Sequence, residues 1–435
     1  MYRPLGVTES LFAEFTVSGA MLVVNAASIK GKIDTGLIPQ IQGLLQQRHP
    51  LLNVSLSKTA LQWNWIEASG EPLVEVLEAD IKPAEFEQQL GEIMQLQCNT
   101  PLKLGGALWR VSVLNGAEQS ALIISIHHSI CDGLSAAALL GEWIQRYNQL
   151  KQDVCASPSR FAIREGLHAS LNPPDFSVDD SPFCVPISTK DALAWLNAPL
   201  ESEPLVEAIN CLELCYFSQR QTQQLLVLCR QRGFSLNIVL YSVALGVALA
   251  LAEYPPSHLS AGGNANVRPL VEPPVTEQEL ACFVSMFSFT VDADLSDNVW
   301  QRAAKVKAGY QQKVASGLHL ASCNDDWWKA QPPRRLGDDF AQCQGRFNAI
   351  HLSNLGNISH LFNLTEGDLT LRHYYFTAAQ HVVGSIFWLG AQTVNDQLSI
   401  TLNCVAPGVS ASMRRRFIDS FRHELLALLS DSRAD

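Results

Sequence analysis

Two adjacent histidines, an aspartate and a glycine stand within seven residues in the run "HHSICDG", His127 to Gly133. A neutral imidazole can take a proton from an alcohol or amine near neutral pH. The run follows the apolar stretch "ALIISI" and precedes "LSAAALLGEWI", whose apolar residues recur at helical spacing. A helix that starts directly after a strand end aims backbone N–H groups and a partial positive charge at that end. A base contributes about 10² to 10⁴-fold to a rate, and one oxyanion donor about 10² to 10³-fold. With positioning, that suffices to move an acyl group out of an already activated thioester.

Successive side chains on a strand point to opposite faces, so His127 and His128 serve one site only if the strand ends between them. One of the two is therefore expected to be structural. Gly133 permits a sharp turn or a close approach. Other readings fit the same residues: Asp132 as a helix cap, the histidines as satisfied core groups, or His128 and Asp132 as metal ligands at i, i+4. Periodicity alone leaves these open. No further ligands are evident, and the close pair Cys211 and Cys215 has no matching Cys/His pair at zinc-like spacing.

The elements around the motif follow from pattern. "ALWRVSVL" and "ALIISIHH" read as strands joined through "NGAEQ" as a hairpin, and Ala136, Leu139, Leu140, Trp143, Ile144 and Tyr147 share one helical face after them. Leu37, Ile41, Leu44 and Leu45 mark an earlier helix before the strand-like "HPLLNVSL". The stretch "SLNPPDFSVDDSPFCVPIST", rich in Pro, Ser and Asp, reads as a connection between domains. Beyond it two helices break at Gly233, the second with Ser235 as N-cap. Strand-like runs follow at "CFVSMFSFTV", "RFNAIHLSNLG", "SIFWLGAQTV" and "LSITLNCV", the last two forming a hairpin across "NDQ". Met413, Phe417, Phe421, Leu425 and Leu428 make a final amphipathic helix. The expected organisation is an N-terminal lobe over 1–170, a connecting segment over 171–205 and a C-terminal lobe over 206–435.

Composition narrows the class. The chain has 435 residues, 47% of them hydrophobic, enough for two or three domains' worth of core. A formal net charge of −11, from 31 basic and 42 acidic residues, gives no global basic field for nucleic acid. The N-terminal run "MYRPLGVTESLFAEF" does not read as a signal peptide. The apolar window Leu236 to Ala252 is short and mixed for a membrane span and reads as a buried helix. Eleven cysteines without a Cys-x-x-Cys pair suggest reduced thiols and a cytoplasmic location.

The run "HHSICDG" resembles the His-His-x-x-x-Asp-Gly signature of the thioester-dependent acyltransferase superfamily. That superfamily includes nonribosomal peptide condensation domains, phthiocerol dimycocerosyl transferase-like enzymes, alcohol acetyltransferases and chloramphenicol acetyltransferase. "RPLGVTESLF", "TPLKLGGALWRVSVL", "CRQRGFSLNIVLYSVALGVAL", "NVRPL" and "LSNLG" resemble further family segments, so the likeness spans nearly the whole chain. It implies an α/β fold of two chloramphenicol-acetyltransferase-like lobes arranged as a V, with a central channel. The second histidine of the signature is the family's general base, which carries over to His128. Gly133 keeps the channel open and offers a backbone donor, and His127 supports the turn. The resemblance makes Asp132 architectural, with Arg268 of "NVRPL" as its partner, a charge-assisted pair that would hold the turn.

In the same way Ser353 and Asn354 of "LSNLG" are expected to line the channel, whereas Trp388, which could wall an acyl pocket, reads rather as core, as an aromatic in an apolar strand more often is. There is no Asp-Phe-Gly-Trp-Gly segment, which argues against the plant-type branch, and no carrier segment with a phosphopantetheine serine. The donor is then acyl-CoA, or an acyl group on a carrier protein (acyl or peptidyl) supplied in trans, with a small-molecule acceptor and no bound cofactor or metal. Arg334, Arg335 and Arg414 to Arg416 are basic spots that an acidic carrier would seek, although the last three also suit the solvated side of a helix. A monomer is expected. The rival functions are a non-catalytic condensation-like module that binds a carrier-tethered intermediate, and epimerisation or cyclisation of such an intermediate on the same fold.

Overall fold

The structure is a computed structural model that describes residues 3–431 apart from 19–20, 61, 79–81, 83–84, 117, 155, 172–174, 178, 185–207, 331–344, 363–366 and 382. Most of the proposed connecting segment, and Arg334 and Arg335, lie outside the described residues.

The described strands are β1 (Leu22–Lys30), β2 (Val54–Lys58), β3 (Trp63–Glu67), β4 (Leu73–Glu78), β5 (Trp109–Asn115), β6 (Gln119–His127), β7 (Ile209–Tyr216), β8 (His258–Asn266), β9 (Val284–Asp292), β10 (Arg346–Asn357), β11 (Thr370–Ala378), β12 (Gly384–Val394) and β13 (Gln397–Ala406). They form two principal sheets, of order β11-β1-β6-β5-β4 and β7-β13-β12-β10-β8-β9, and a small β2-β3 ribbon. The protein is therefore a two-lobed α/β fold.

Both expected hairpins are present. β5 pairs antiparallel with β6, and β12 with β13. β6 is buried along its whole length because both of its faces are covered. Helix Gly133–Lys151 lays Ala136, Leu139, Leu140, Trp143, Ile144 and Tyr147 into a core shared with Ile38, Ile41 and Leu45 of the earlier helix and Val111, Leu122 and Ile124 of the sheet. Helix Phe86–Cys98 covers the opposite face, where Phe86, Leu90 and Met94 meet Val24, Ala26 and Ile123. In the second lobe, helices Gln219–Gln231, Leu236–Leu251, Val299–Ala315 and Ala411–Asp431 surround the core of the six-stranded sheet. Gly233 breaks the first pair with a φ of 78°, which an L side chain rarely adopts. Ser235 then caps the next helix by accepting from the Ile238 N–H.

The Leu236–Leu251 helix is largely buried within this core. Among the described residues, no single helix is long and apolar enough to cross a membrane.

Chain order and sheet membership part company at β11. This strand lies in the second half of the sequence, yet it pairs along β1 from Val23↔Ala378 to Lys30↔Thr370 and forms the edge of the first sheet. The lobe expected over 206–435 thus contributes a strand to the other lobe. The alternation in "TLRHYYFTA" is weak, which explains why its sequence did not stand out as a strand. A buried polar knot secures the return. Asn403 donates to Asn210 Oδ1 and to the Ala378 carbonyl, and Arg346 donates to the carbonyls of Gln380 and His381.

Candidate active site

The strand carrying the motif ends at His127, and His128 begins the turn that leads into helix Gly133–Lys151. This break frees the two imidazoles from strand alternation. His127 is fully buried, and its Nδ1 accepts from the Ser129 backbone N–H at 3.1 Å. Its Nε2 therefore carries the hydrogen and donates to Thr16 Oγ1 at 2.6 Å. Burial pushes its pKa down to about 3, helped by the neighbouring His128. His127 is a locked, neutral turn support.

His128 is only half-buried and lines a cavity of about 580 Å³ between the two lobes. Its Nδ1 lies 2.9 Å from the Cys131 carbonyl, which can only accept, so Nδ1 is protonated and Nε2 is the basic nitrogen. Phe12 packs against the ring with centroids 4.3 Å apart. Burial lowers the pKa of His128 below the ordinary histidine value despite the nearby Asp132 charge, keeping the base neutral at pH 7.

Asp132 also lines the cavity, but its carboxylate is committed to other partners. Its carboxylate accepts from Arg268 Nη1 at 2.7 Å and Nη2 at 3.1 Å, from the Ser135 N–H at 2.9 Å and from the Phe283 N–H at 2.9 Å. It is at once the N-cap of the helix and the anchor of Arg268. Burial alone would raise its pKa, but Arg268 and the two N–H donors outweigh that and hold the carboxyl below its usual range. With its acceptor positions committed this way, Asp132 is poorly placed to share a metal with His128. Among the described residues no group of three or more His, Cys, Asp or Glu side chains is arranged for a metal ion.

Gly133 and Leu134 open the helix and line the same cavity, so their first-turn N–H groups have no intrahelical carbonyl to reach. A Cβ at Gly133 would come within 2.9 Å of Leu355 Cδ2, so the missing side chain keeps the motif accessible. Ser353 and Asn354 also line the cavity from the second lobe. Ser353 accepts from Asn264, whereas Asn354 donates to Asn237 and accepts from the Gly356 N–H. Trp388 is buried in the core and lines the cavity as well, edge-on to Phe376. It thus sits both in the core and on the cavity wall.

Several wall residues were not anticipated, among them Asn264, Asn348 and His351. A signal for His351 exists in "AIHLSNLG": Ile350 and Leu352 alternate into the core, which turns His351 and Ser353 to the other face. On the C-terminal helix, Arg415 and Arg416 are exposed, and Arg414 donates to the Val409 carbonyl. These three residues do not line the cavity.

A histidine just past a strand end and the N-terminus of the helix that follows it thus line one inter-lobe cavity together. A family model described as the condensation domain matches residues 18–160, and one described as the phthiocerol/phthiodiolone dimycocerosyl transferase C-terminus matches residues 211–403. Both halves of the chain thus match models of acyl-transferring proteins. It is 19% identical over 338 residues to the phthiocerol/phthiodiolone dimycocerosyl transferase of Mycobacterium ulcerans (strain Agy99), covering 73% of each chain.

Two solved structures share the fold across almost the full length. Polyketide synthase associated protein 5 from Mycobacterium tuberculosis has a TM-score of 0.66 at 16% identity, covering 99% of this chain and 98% of its own. Trichothecene 15-O-acetyltransferase from Fusarium sporotrichioides has a TM-score of 0.70 at 10% identity, covering 98% and 94%.

Proposed function

We propose that this protein transfers an acyl group from a thioester to a hydroxyl or amine, giving an ester or amide and a free thiol. The observation that carries this reading is the fixed tautomer of His128: the Cys131 carbonyl holds Nδ1–H and leaves Nε2 as a base on a cavity-lining side chain. The acceptor's proton passes to Nε2 while its oxygen or nitrogen attacks the thioester carbonyl carbon. The oxyanion that forms is steadied by the N–H groups of Gly133 and Leu134. Collapse breaks the C–S bond, and the thiolate recovers the proton from His128. Direct transfer needs no covalent acyl-enzyme, because a shared cavity brings both substrates together.

The donor is an acyl-CoA, or an acyl group on the phosphopantetheine of an acyl or peptidyl carrier protein supplied in trans. In either case the pantetheine is part of the substrate and not a resident cofactor. Both walls of the cavity come from one chain, which supports action as a monomer.

The test is product detection by mass spectrometry with wild type and His128→Ala, using mixed acyl-CoAs or acyl-loaded carrier proteins against pooled alcohols and amines. An ester or amide made by wild type and lost in the variant is the expected result. Unchanged product from His128→Ala would remove His128 as base. A carrier-bound intermediate retained without turnover would favour a binding module.

A further inference from the structure

Along the second-lobe wall of the cavity, polar side chains cluster where β8, β10 and β12 run side by side. His351 is in register with Gly262 on one side and Trp388 on the other. The His351 and Trp388 rings are parallel to within 9°, with centroids 6.4 Å apart. A Cβ on Gly262 would come within 2.5 Å of Asn348 Nδ2 and 2.6 Å of His351 Nδ1, so this glycine makes the room that both side chains occupy. Asn264, on the same strand as Gly262, reaches Ser353.

Two oxygens of this cluster stand out. Asn264 Oδ1 and Asn348 Oδ1 are buried and have no hydrogen-bond partner among the described residues, although both side chains line the cavity. A buried acceptor left unmet is costly, so each calls for a donor. The charge of that donor's group is constrained too. Arg268, a cation of the cavity wall, is already held by Asp132. Burial also pushes His351 down to about 4, leaving it neutral. The cluster therefore offers no cation to a carboxylate or phosphate, and its two unmet amide oxygens suit an uncharged donor such as a hydroxyl.

β10 serves as a ruler. Leu355 abuts the position of Gly133, and His351 lies four residues earlier, about 13 Å along an extended strand. Resting on the acyl-transfer reading, we infer that Asn264, Asn348 and His351 form a distal specificity subsite. It binds an uncharged hydrogen-bond donor, such as a hydroxyl, carried by the substrate chain well away from the reacting group.

The experiment compares substrates that differ only in that donor. An ω-hydroxyacyl-CoA is paired with its ω-methoxy counterpart on a plain alcohol, and a long alkanediol is paired with its monomethyl ether on a plain acyl-CoA. The first pair tests the acyl chain as the source of the donor, and the second tests the acceptor. Wild type is expected to favour the free hydroxyl by about tenfold in kcat/KM in one pair, and Asn348→Leu to reduce that preference below about twofold. His351→Phe, which keeps a ring beside Trp388, should also weaken that preference.

Equal use of both members of both pairs overturns the subsite while leaving acyl transfer intact. If no substrate turns over, binding of each pair to the otherwise wild-type protein is measured by calorimetry. A preference for the free hydroxyl that Asn348→Leu removes would support the subsite without catalysis, and equal binding would overturn it.

Discussion

The guanidinium of Arg268 grips the carboxylate of Asp132 through bonds of 2.7 and 3.1 Å, joining residues 136 apart in the chain. Asp132 caps the helix that opens at the motif, and Arg268 follows β8 of the second lobe. The pair thus ties the motif turn to the opposite wall. Arg268→Leu leaves a buried carboxylate without its counter-ion and is expected to cost about 3–5 kcal/mol, read from denaturant unfolding. Adding Asp132→Asn should cost much less than a second such loss, because the stranded charge is then removed.

His128→Ala is expected to lower kcat by about 10² to 10⁴-fold while leaving the melting temperature close to wild type, since the side chain is half-buried and lines the cavity. A base must act in its neutral form, and burial lowers the pKa of this imidazole. The acid limb of a kcat/KM profile should therefore fall below the ordinary histidine value of about 6.5. An acid limb above that value would contradict the assignment.

Gly133→Ala places a methyl group 2.9 Å from Leu355 Cδ2 and 3.5 Å from Phe376. Leucine can move its terminal carbons, so the fold should survive while the entrance to the base narrows. The expected outcome is a normal circular-dichroism spectrum with reduced kcat/KM. Partial rescue by Leu355→Ala would identify the loss as steric.

His127 ties acid stability to the motif. Its folded pKa of about 3 lies below the unfolded value of about 6.5, so the unfolded chain binds the extra proton first as pH falls. Its contribution is complete above pH 6.5 and is lost progressively as pH drops toward 3. A melting-temperature series across that window should slope less steeply in His127→Gln than in wild type.

Much of this site was visible in the sequence because it is local. Seven consecutive residues hold the base, the cap and the open glycine, and the flanking apolar periods show the strand and the helix. Arg268 was reached only through resemblance, because nothing local in "NVRPL" says that its partner lies 136 residues earlier. The subsite of Asn264, Asn348 and His351 was not legible for a related reason. It depends on β8 and β10 running parallel, and parallel neighbours are brought together by long connections. Strand β11 escaped notice too: its half-polar run "TLRHYYFTA" shows little alternation, and its partner β1 lies in the other half of the chain.

The crossing of β11 also bears on how the protein is made. β6 is complete at His127, but the strand that closes the β1 edge of its sheet ends at Ala378, about 250 residues later. At roughly 5–20 residues per second, a ribosome leaves that edge open for roughly 10–50 s. During that interval the nascent N-terminal half presents unpaired backbone donors and acceptors to any other extended chain. Fragments ending before residue 370 carry the same open edge permanently, which makes them aggregation-prone and poor substitutes for an isolated motif-bearing lobe.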